Sequence, residues 1–423
     1  MTHYVIIGCG NAGVTAAETI RKHDKKNKIT IVNGENKPFY FRSGLVEFLK
    51  KELEEERLLA RPKKFFELKR IDVLDGIKVQ KVVPETKQII IDKDNIIKYD
   101  KLLIATGAVP KIPEIKGTEL RGVKTCRTFI DALDIMELAK HSRHVVVVGG
   151  GILGIELADA LTKRNNKVTI LEKEAKLGTG LMDPCTAIRV LEDLNRRRID
   201  VRLRETVKEL RGKEGHVSEV RTTKGKIIKT NLVIFCTGSS PNTSFLSGSG
   251  IHTDEGIIVD NNLRTNYSEI YAAGDVAQIN DPDSGNHIIR PGWYESANMG
   301  ETAAMNMIGE DSKYYPAIRY RSTAILGVPY TCIGEISPRV RSRKEYEVLH
   351  SNCKKTDDHK LFIIKNNRIV GASFFKDRRC ALAVKELVEK GTDVSGVKKQ
   401  LLDPGFDFDY LLIKQRAEIR NEE

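Results

Sequence analysis

Residues 4–13 read Tyr4-Val5-Ile6-Ile7-Gly8-Cys9-Gly10-Asn11-Ala12-Gly13, and residues 14–21 follow with helical spacing. A short β-branched run, a glycine loop and a helix make the start of a dinucleotide-binding unit. Gly8 allows the tight turn. Gly10 lets the backbone approach a pyrophosphate, and Gly13 lets helix and strand pack closely. The helix N-terminus then offers N–H groups without intrahelical partners, and the positive dipole end, to phosphate oxygens. A single such motif is weak evidence, but here it recurs. Val145-Val146-Val147-Val148 runs into Gly149-Gly150-Gly151-Ile152-Leu153-Gly154. Two such units in one chain suggest two dinucleotides, one a flavin and the other a nicotinamide.

Around these units the composition sets limits. The chain has 423 residues, of which 40% are hydrophobic, enough for two or three domains with substantial cores. No apolar run approaches the ~20 residues of a membrane span. Residues 4–7 are too short for the apolar region of a signal peptide, so a cytoplasmic location is expected. The seven cysteines (Cys9, Cys126, Cys185, Cys236, Cys332, Cys353 and Cys380) show no C-x-x-C spacing. A disulfide framework, a zinc site and a protein-borne iron–sulfur cluster are therefore not expected, and most of these thiols read as buried and scattered. The net charge of +12 is uneven. Residues 187–229 hold 13 Lys/Arg against 7 Asp/Glu, and residues 317–423 hold 21 against 15, so each region carries a net +6. Such regions suit an acidic partner.

In the first unit the second strand spans residues 28–32. An acid near its end should accept from ribose hydroxyls, which points to Glu35, with Asn33 as the alternative. The aromatic loop Pro38-Phe39-Tyr40-Phe41 leads to Arg42 and Ser43, placing an arginine where it reaches a pyrophosphate or flavin. Residues 50–57 read as a charged helix and residues 71–91 as alternating strands. An apolar strand ends in Ala105-Thr106-Gly107, a turn able to pass close to a cofactor. In the second unit Glu172 lies 23 residues after Gly149. It favours a free 2′-hydroxyl over a 2′-phosphate, hence NADH over NADPH, although Lys173 and Lys176 stand close by. Glu156, one turn into the helix, is expected to face the nicotinamide. Thr237-Gly238 repeats the Thr-Gly turn, and Gly274-Asp275 ends a later strand with a carboxylate suited to a sugar alcohol. A helix follows Trp293. Residues 361–364 and 369–375, joined at Asn366-Asn367, read as a hairpin, and residues 380–390 as an amphipathic helix.

In that order these motifs resemble the FAD-dependent pyridine nucleotide-disulfide oxidoreductases, over nearly the whole chain. The resemblance is strongest to the rubredoxin/ferredoxin reductase and nitrite-reductase flavin-domain branch. It implies an α/β fold with two Rossmann-like domains, the second inserted in the first, and a C-terminal α+β domain. Residues 1–112 and 243–316 would hold FAD, residues 113–242 NAD(H), and residues 317–423 would make an interface. The branches that use a redox thiol carry a cysteine pair, or a single cysteine in a Cys-Gly-Leu-like segment. This chain reads Ser43-Gly44-Leu45 there, and Ile152 where one such branch has a tyrosine over the nicotinamide pocket. The implied activity is electron transfer between NADH and an acidic one-electron carrier: ferredoxin, rubredoxin or an iron–sulfur subunit. The resemblance also implies a homodimer or a partner surface. A peroxide-forming NADH oxidase and a basic flavoprotein that mainly binds are the competing readings. With 6% aromatic residues and no aromatic-interleaved basic stripe, nucleic acid is not the expected partner.

Overall fold

A computed structural model describes residues 1–92, 95–281, 285–351 and 358–413. The chain forms two compact units. The first comprises Met1–Lys111, Arg127–Ala132 and Gly238–Ala317; the second comprises Ile112–Cys126, Leu133–Thr237 and the chain from Ile318 onward.

The first unit is built on a five-stranded parallel sheet. Its order is Ile270–Ala272, Lys101–Ile104, His3–Ile7, Lys28–Asn33, Asp72–Asp75. The strands are continuous β-branched runs because helices cover a parallel sheet on both faces. Val5, Ile6, Ile29, Ile31, Leu102 and Leu103 are at most 1% exposed. The helices Asn11–His23 and Trp293–Met307 cross closely, and a Cβ on Gly300 would lie 2.3 Å from the Ala12 carbonyl oxygen. The charged stretch 50–57 is not one helix. Leu45–Leu49 and Glu55–Leu58 are separate, with Lys51 at φ +61° between them. Four glutamates crowded at positions 52 and 54–56 gain nothing from helical i,i+4 stacking.

The second unit repeats the plan in the order Asp200–Leu203, Lys167–Glu172, His144–Val148, Leu232–Phe235, Val123–Thr125, again all parallel. The repeat extends beyond the glycine loops. His3 pairs in register with Lys28 and Thr30 with Asp72; His144 pairs with Lys167 and Thr169 with Asp200. In both sheets the histidine Nε2 lies beside the threonine hydroxyl, at 2.8 Å for His3–Thr30 and 2.9 Å for His144–Thr169. Both third strands follow an arginine at positive φ, Arg70 at +52° and Arg198 at +61°.

The same unit carries a five-stranded antiparallel sheet, ordered Tyr320–Ile325, Val328–Gly334, Arg368–Phe375, His359–Lys365, Glu347–His350. The expected hairpin is present, with Asn366 and Asn367 both at positive φ, as a two-residue turn demands. The helix Ala381–Lys390 buries Ala381, Val384 and Leu387 in the core of this sheet. Cys9, Cys126, Cys236, Cys332 and Cys380 are free thiols, in line with the expectation for most of the seven. Cys185 departs from it, being disulfide-bonded. Cys353 lies outside the described residues.

Candidate functional site

The two glycine loops solve the same steric problem. A Cβ on Gly8, which sits at φ +113°, would lie 2.2 Å from the Ala105 carbonyl oxygen, and one on Gly13 would lie 2.1 Å from that of Gly8. These glycines are fixed by strand–helix packing. A Cβ on Gly10 meets nothing within 4 Å, so the backbone there faces open space of the kind a pyrophosphate needs. In the second unit a Cβ on Gly149, at φ +111°, would lie 2.4 Å from the Cys236 carbonyl oxygen, and one on Gly154 would lie 2.0 Å from that of Gly149. A Cβ on Gly151 would meet only a Leu181 methyl, at 4.0 Å. Each loop opens directly into a helix, Asn11–His23 or Ile152–Lys163, whose first N–H groups are available to an anion.

One cleft in the first unit gathers most of the expected FAD residues. Gly10, Asn11, Ala12, Asn33, Glu35, Arg42, Ser43, Ala105, Gly107, Gly274, Asp275 and Trp293 all line it. Asn33 is committed internally, donating to Asp75 Oδ1 at 2.7 Å and to the Lys37 carbonyl at 2.9 Å. Glu35 accepts from the Tyr40 hydroxyl at 2.7 Å and pairs with Arg42. Arg42 also donates to Tyr40 Oη at 2.8 Å and to the Arg127 carbonyl at 3.1 Å. Thr106 Oγ1 donates to the Asn242 carbonyl at 2.9 Å, which returns its own N–H to Gly107, a residue at φ +67°. Asn11 Nδ2 donates to the Trp293 carbonyl at 2.5 Å. The Trp293 ring stacks on Phe39 at 5.6 Å and leans on Phe41 at 5.2 Å.

The lining also includes residues that the sequence did not mark as site residues, among them Arg127, Lys37, Cys9 and Ser296. Arg127 matters most. Its Nη2 lies 3.9 Å from Asp275 Oδ2. Burial, with Arg42 nearby, pulls its guanidinium below the ordinary arginine range. Two guanidinium groups facing one cleft with a helix N-terminus call for an anionic occupant. Lys37 rests its ammonium 3.9 Å from the centre of the Phe129 ring and pairs with Glu55. The Cys9 thiol is pushed up to about 12 by burial, with Asp75 adding to the effect, so it stands here as a neutral thiol. Open space over Gly10, paired cations and an acceptor carboxylate fit a flavin dinucleotide.

In the second unit Glu172 is 8% exposed at the end of its strand. Its Oε2 accepts the Gly150 N–H at 2.6 Å and its Oε1 that of Glu174 at 2.8 Å. Ile152 and Leu153 form the first turn of the helix, with Leu153 40% exposed. Glu156 is buried, and its Oε1 accepts the Leu326 N–H at 2.5 Å. Leu326, at φ +54°, is the tip of the hairpin joining Tyr320–Ile325 to Val328–Gly334. Thr237 follows the strand Leu232–Phe235 through Cys236, whose thiol is pushed up by burial, with Cys126 adding to the effect. Gly238, at φ +99°, accepts the Lys111 N–H at 2.9 Å in the first unit.

Two strand–glycine loop–helix units, the first beside a cleft lined by Arg42 and Arg127 and the second with Glu172 at its strand end, are the marks of one family. The chain belongs to the pyridine nucleotide-disulphide oxidoreductase family, whose profile matches residues 2–303. It is 32% identical over 329 residues to apoptosis-inducing factor 3 of Homo sapiens, covering 77% of this chain and 54% of that protein. It is 26% identical over 404 residues to the NADH-rubredoxin oxidoreductase of Clostridium acetobutylicum, covering 94% and 97%. The chain spans about half the length of the first curated relatives it matches. Its fold is also that of the putidaredoxin reductase in a covalent complex with putidaredoxin: the TM-score is 0.88 at 20% identity, over 98% of this chain and 99% of that one. Among the described residues no helix is long and apolar enough to cross a membrane.

Proposed function

We propose that the chain carries electrons between NADH and an acidic one-electron carrier, a ferredoxin, a rubredoxin or an iron–sulfur subunit, by way of FAD. The observation that carries this reading is the cationic first cleft without a thiolate. Cys9 lines it as a neutral buried thiol, and Ser43 stands where a redox cysteine would be needed. Electrons arriving there meet no thiolate among the described lining residues and pass to an outside acceptor.

When bound, FAD accepts two electrons together and releases them singly. Gly8, Gly10 and Gly13 with the helix Asn11–His23 would hold its pyrophosphate, Arg42 and Arg127 would neutralise charge, and Asp275 would accept from its sugar alcohol. The N-terminus of the helix Trp293–Met307 would offer N–H groups to negative charge on the bound cofactor. In the second unit Gly149, Gly151 and Gly154 would cradle NADH, with Glu172 selecting its 2′-hydroxyl. Glu156, by holding the Leu326 turn, would fix the wall of the nicotinamide end. Residues 317–423 would supply the partner surface.

Anaerobic turnover with a panel of acidic [2Fe–2S] ferredoxins and rubredoxins tests this. NADH-dependent reduction of at least one carrier is the expected result. Oxygen uptake with peroxide formation, and no carrier reduction, would replace it with the oxidase reading.

A further inference from the structure

The helix Ile152–Lys163 buries residues 154–161, and two acids are among them, Glu156 and Asp159. Asp159 is only 2% exposed. Buried carboxylates persist only with partners, and a spacing of three puts these two on one face of the helix. Both reach the same neighbour. Glu156 Oε1 accepts the Leu326 N–H at 2.5 Å. Asp159 Oδ1 accepts from Arg197 Nη1 at 2.5 Å, and Arg197 Nη2 donates to the Leu326 carbonyl at 3.1 Å. Arg197 stands at the C-terminal end of the helix Pro184–Arg196. Leu326 is therefore held at both of its backbone polar groups, its N–H by a carboxylate and its carbonyl by the fork of a paired guanidinium.

The turn itself does not ask for a leucine. Leu326 and Gly327, at φ +54° and +83°, are the two residues between Ile325 and Val328. A two-residue turn with both residues at positive φ favours Asn-Gly, and a leucine in that conformation is strained. Turns of this kind normally lie in water, yet Leu326 is 5% exposed. A strained and buried tip, clamped from two helices, is held for where it places its side chain. The helix it lies against starts at the second glycine loop. We propose that Asp159 and Arg197 are positioning residues for the nucleotide of the second unit: with Glu156 they lock Leu326 as a fixed apolar wall at the nicotinamide end. This deepens the NADH reading above and rests on it. Gly149, Gly151, Gly154 and Glu172 would hold the pyrophosphate and ribose without the clamp. Loosening it therefore misplaces the reacting end and leaves affinity nearly intact, and a misplacement of about 1 Å can cost about 100-fold in rate.

The test follows flavin bleaching by NADH in anaerobic stopped flow on the FAD-loaded protein, NADH affinity by titration calorimetry, and hydrogen exchange of the peptide over residues 320–330. Arg197→Lys keeps a cation for Asp159 but loses the fork that reaches the Leu326 carbonyl. It should slow bleaching at saturating NADH about 10- to 100-fold, change NADH affinity less than about 3-fold and speed exchange of the Leu326 amide about 10-fold. Leu326→Asn suits the turn and removes only the apolar side chain, so it tests the wall whatever the folding of R197K. It should slow bleaching to a similar degree with its amide still protected. Adding Arg197→Lys to it should slow bleaching less than about twofold further, because both act through one wall. Wild-type bleaching rates in either single variant, independent effects of the two, or a loss of affinity that matches the loss of rate would overturn the proposal. A wild-type protein whose flavin NADH leaves oxidised overturns the NADH reading as well. The exchange arm involves no nucleotide, so the two failures are seen apart.

Discussion

Gly154 and Glu172 show what a single residue type can announce. The contact of Gly154 with Gly149 oxygen, 2.0 Å from where a Cβ would stand, leaves no room for any other residue. Gly154→Ala must push the helix Ile152–Lys163 off the strand His144–Val148, at about 1–3 kcal/mol of overpacking. The variant is expected to lose measurable NADH binding while keeping its flavin, as isothermal titration with NADH and the visible spectrum would show. Glu172→Ala removes a charged acceptor from the Gly150 and Glu174 N–H groups and, in the function proposed above, from a ribose hydroxyl. Charged hydrogen bonds of this kind contribute about 1.5–3 kcal/mol, so KM for NADH should rise about tenfold or more and discrimination against NADPH should shrink. Both residues were legible because the demand on them is local. Arg127 was not. It enters the cleft through Arg127–Ala132, a return of the chain to the first unit, and meets Arg42 from 85 residues away. No local signal marks such an arginine.

At the scale of elements, the strands were readable from β-branched runs and the turns from Gly and Asn-Asn. The stretch 50–57 misled because a run of charges carries no helix stop until Lys51 takes positive φ. The duplicated strand starts carry a consequence for pH. His3 and His144 are both pulled below the ordinary histidine range, first by burial and then by Lys28 and Lys167 respectively, with Asp100, Asp72 and Asp200 opposing. A histidine lowered in the folded state binds its proton more readily when unfolded. Stability is therefore full above the unfolded value of ~6.5 and declines as pH falls below it. Thermal melting between pH 8 and 5 should show Tm falling below about 6.5, and the double variant His3→Gln/His144→Gln should flatten that slope. A second loss belongs to Asp183. Burial raises its carboxyl, but the hydrogen bond and charge of His359 and the Thr186 donors outweigh that and hold it down to about 2. Its contribution, about 2 kcal/mol, is present above the ordinary carboxyl range and is lost as pH falls from ~4 toward 2. Asp183→Asn should remove this lower phase in the same melts, at the cost of a lower Tm at neutral pH.

Across the whole molecule the net charge of +12 is the property most exposed to experiment. Reaction with an acidic carrier should be steered by it, so kcat/KM for the carrier should fall about tenfold between low and physiological-to-high ionic strength, while kcat/KM for NADH changes little. Equal salt dependence for both would point away from steering. The two-unit plan was legible because the dinucleotide motif occurs twice. The clamp on Leu326 was not, since its arms come from two helices and reach a hairpin tip 170 residues from Glu156. The measurement closest to the central claim is anaerobic titration of the FAD-loaded protein with NADH, and with NADPH in parallel, followed in the flavin band at roughly 450 nm. Bleaching by about one equivalent of NADH, and not by NADPH at the same concentration, is the result expected from two matched cradles with Glu172 in the second. A protein that takes up no flavin, or whose flavin is untouched by either nucleotide, would contradict the account.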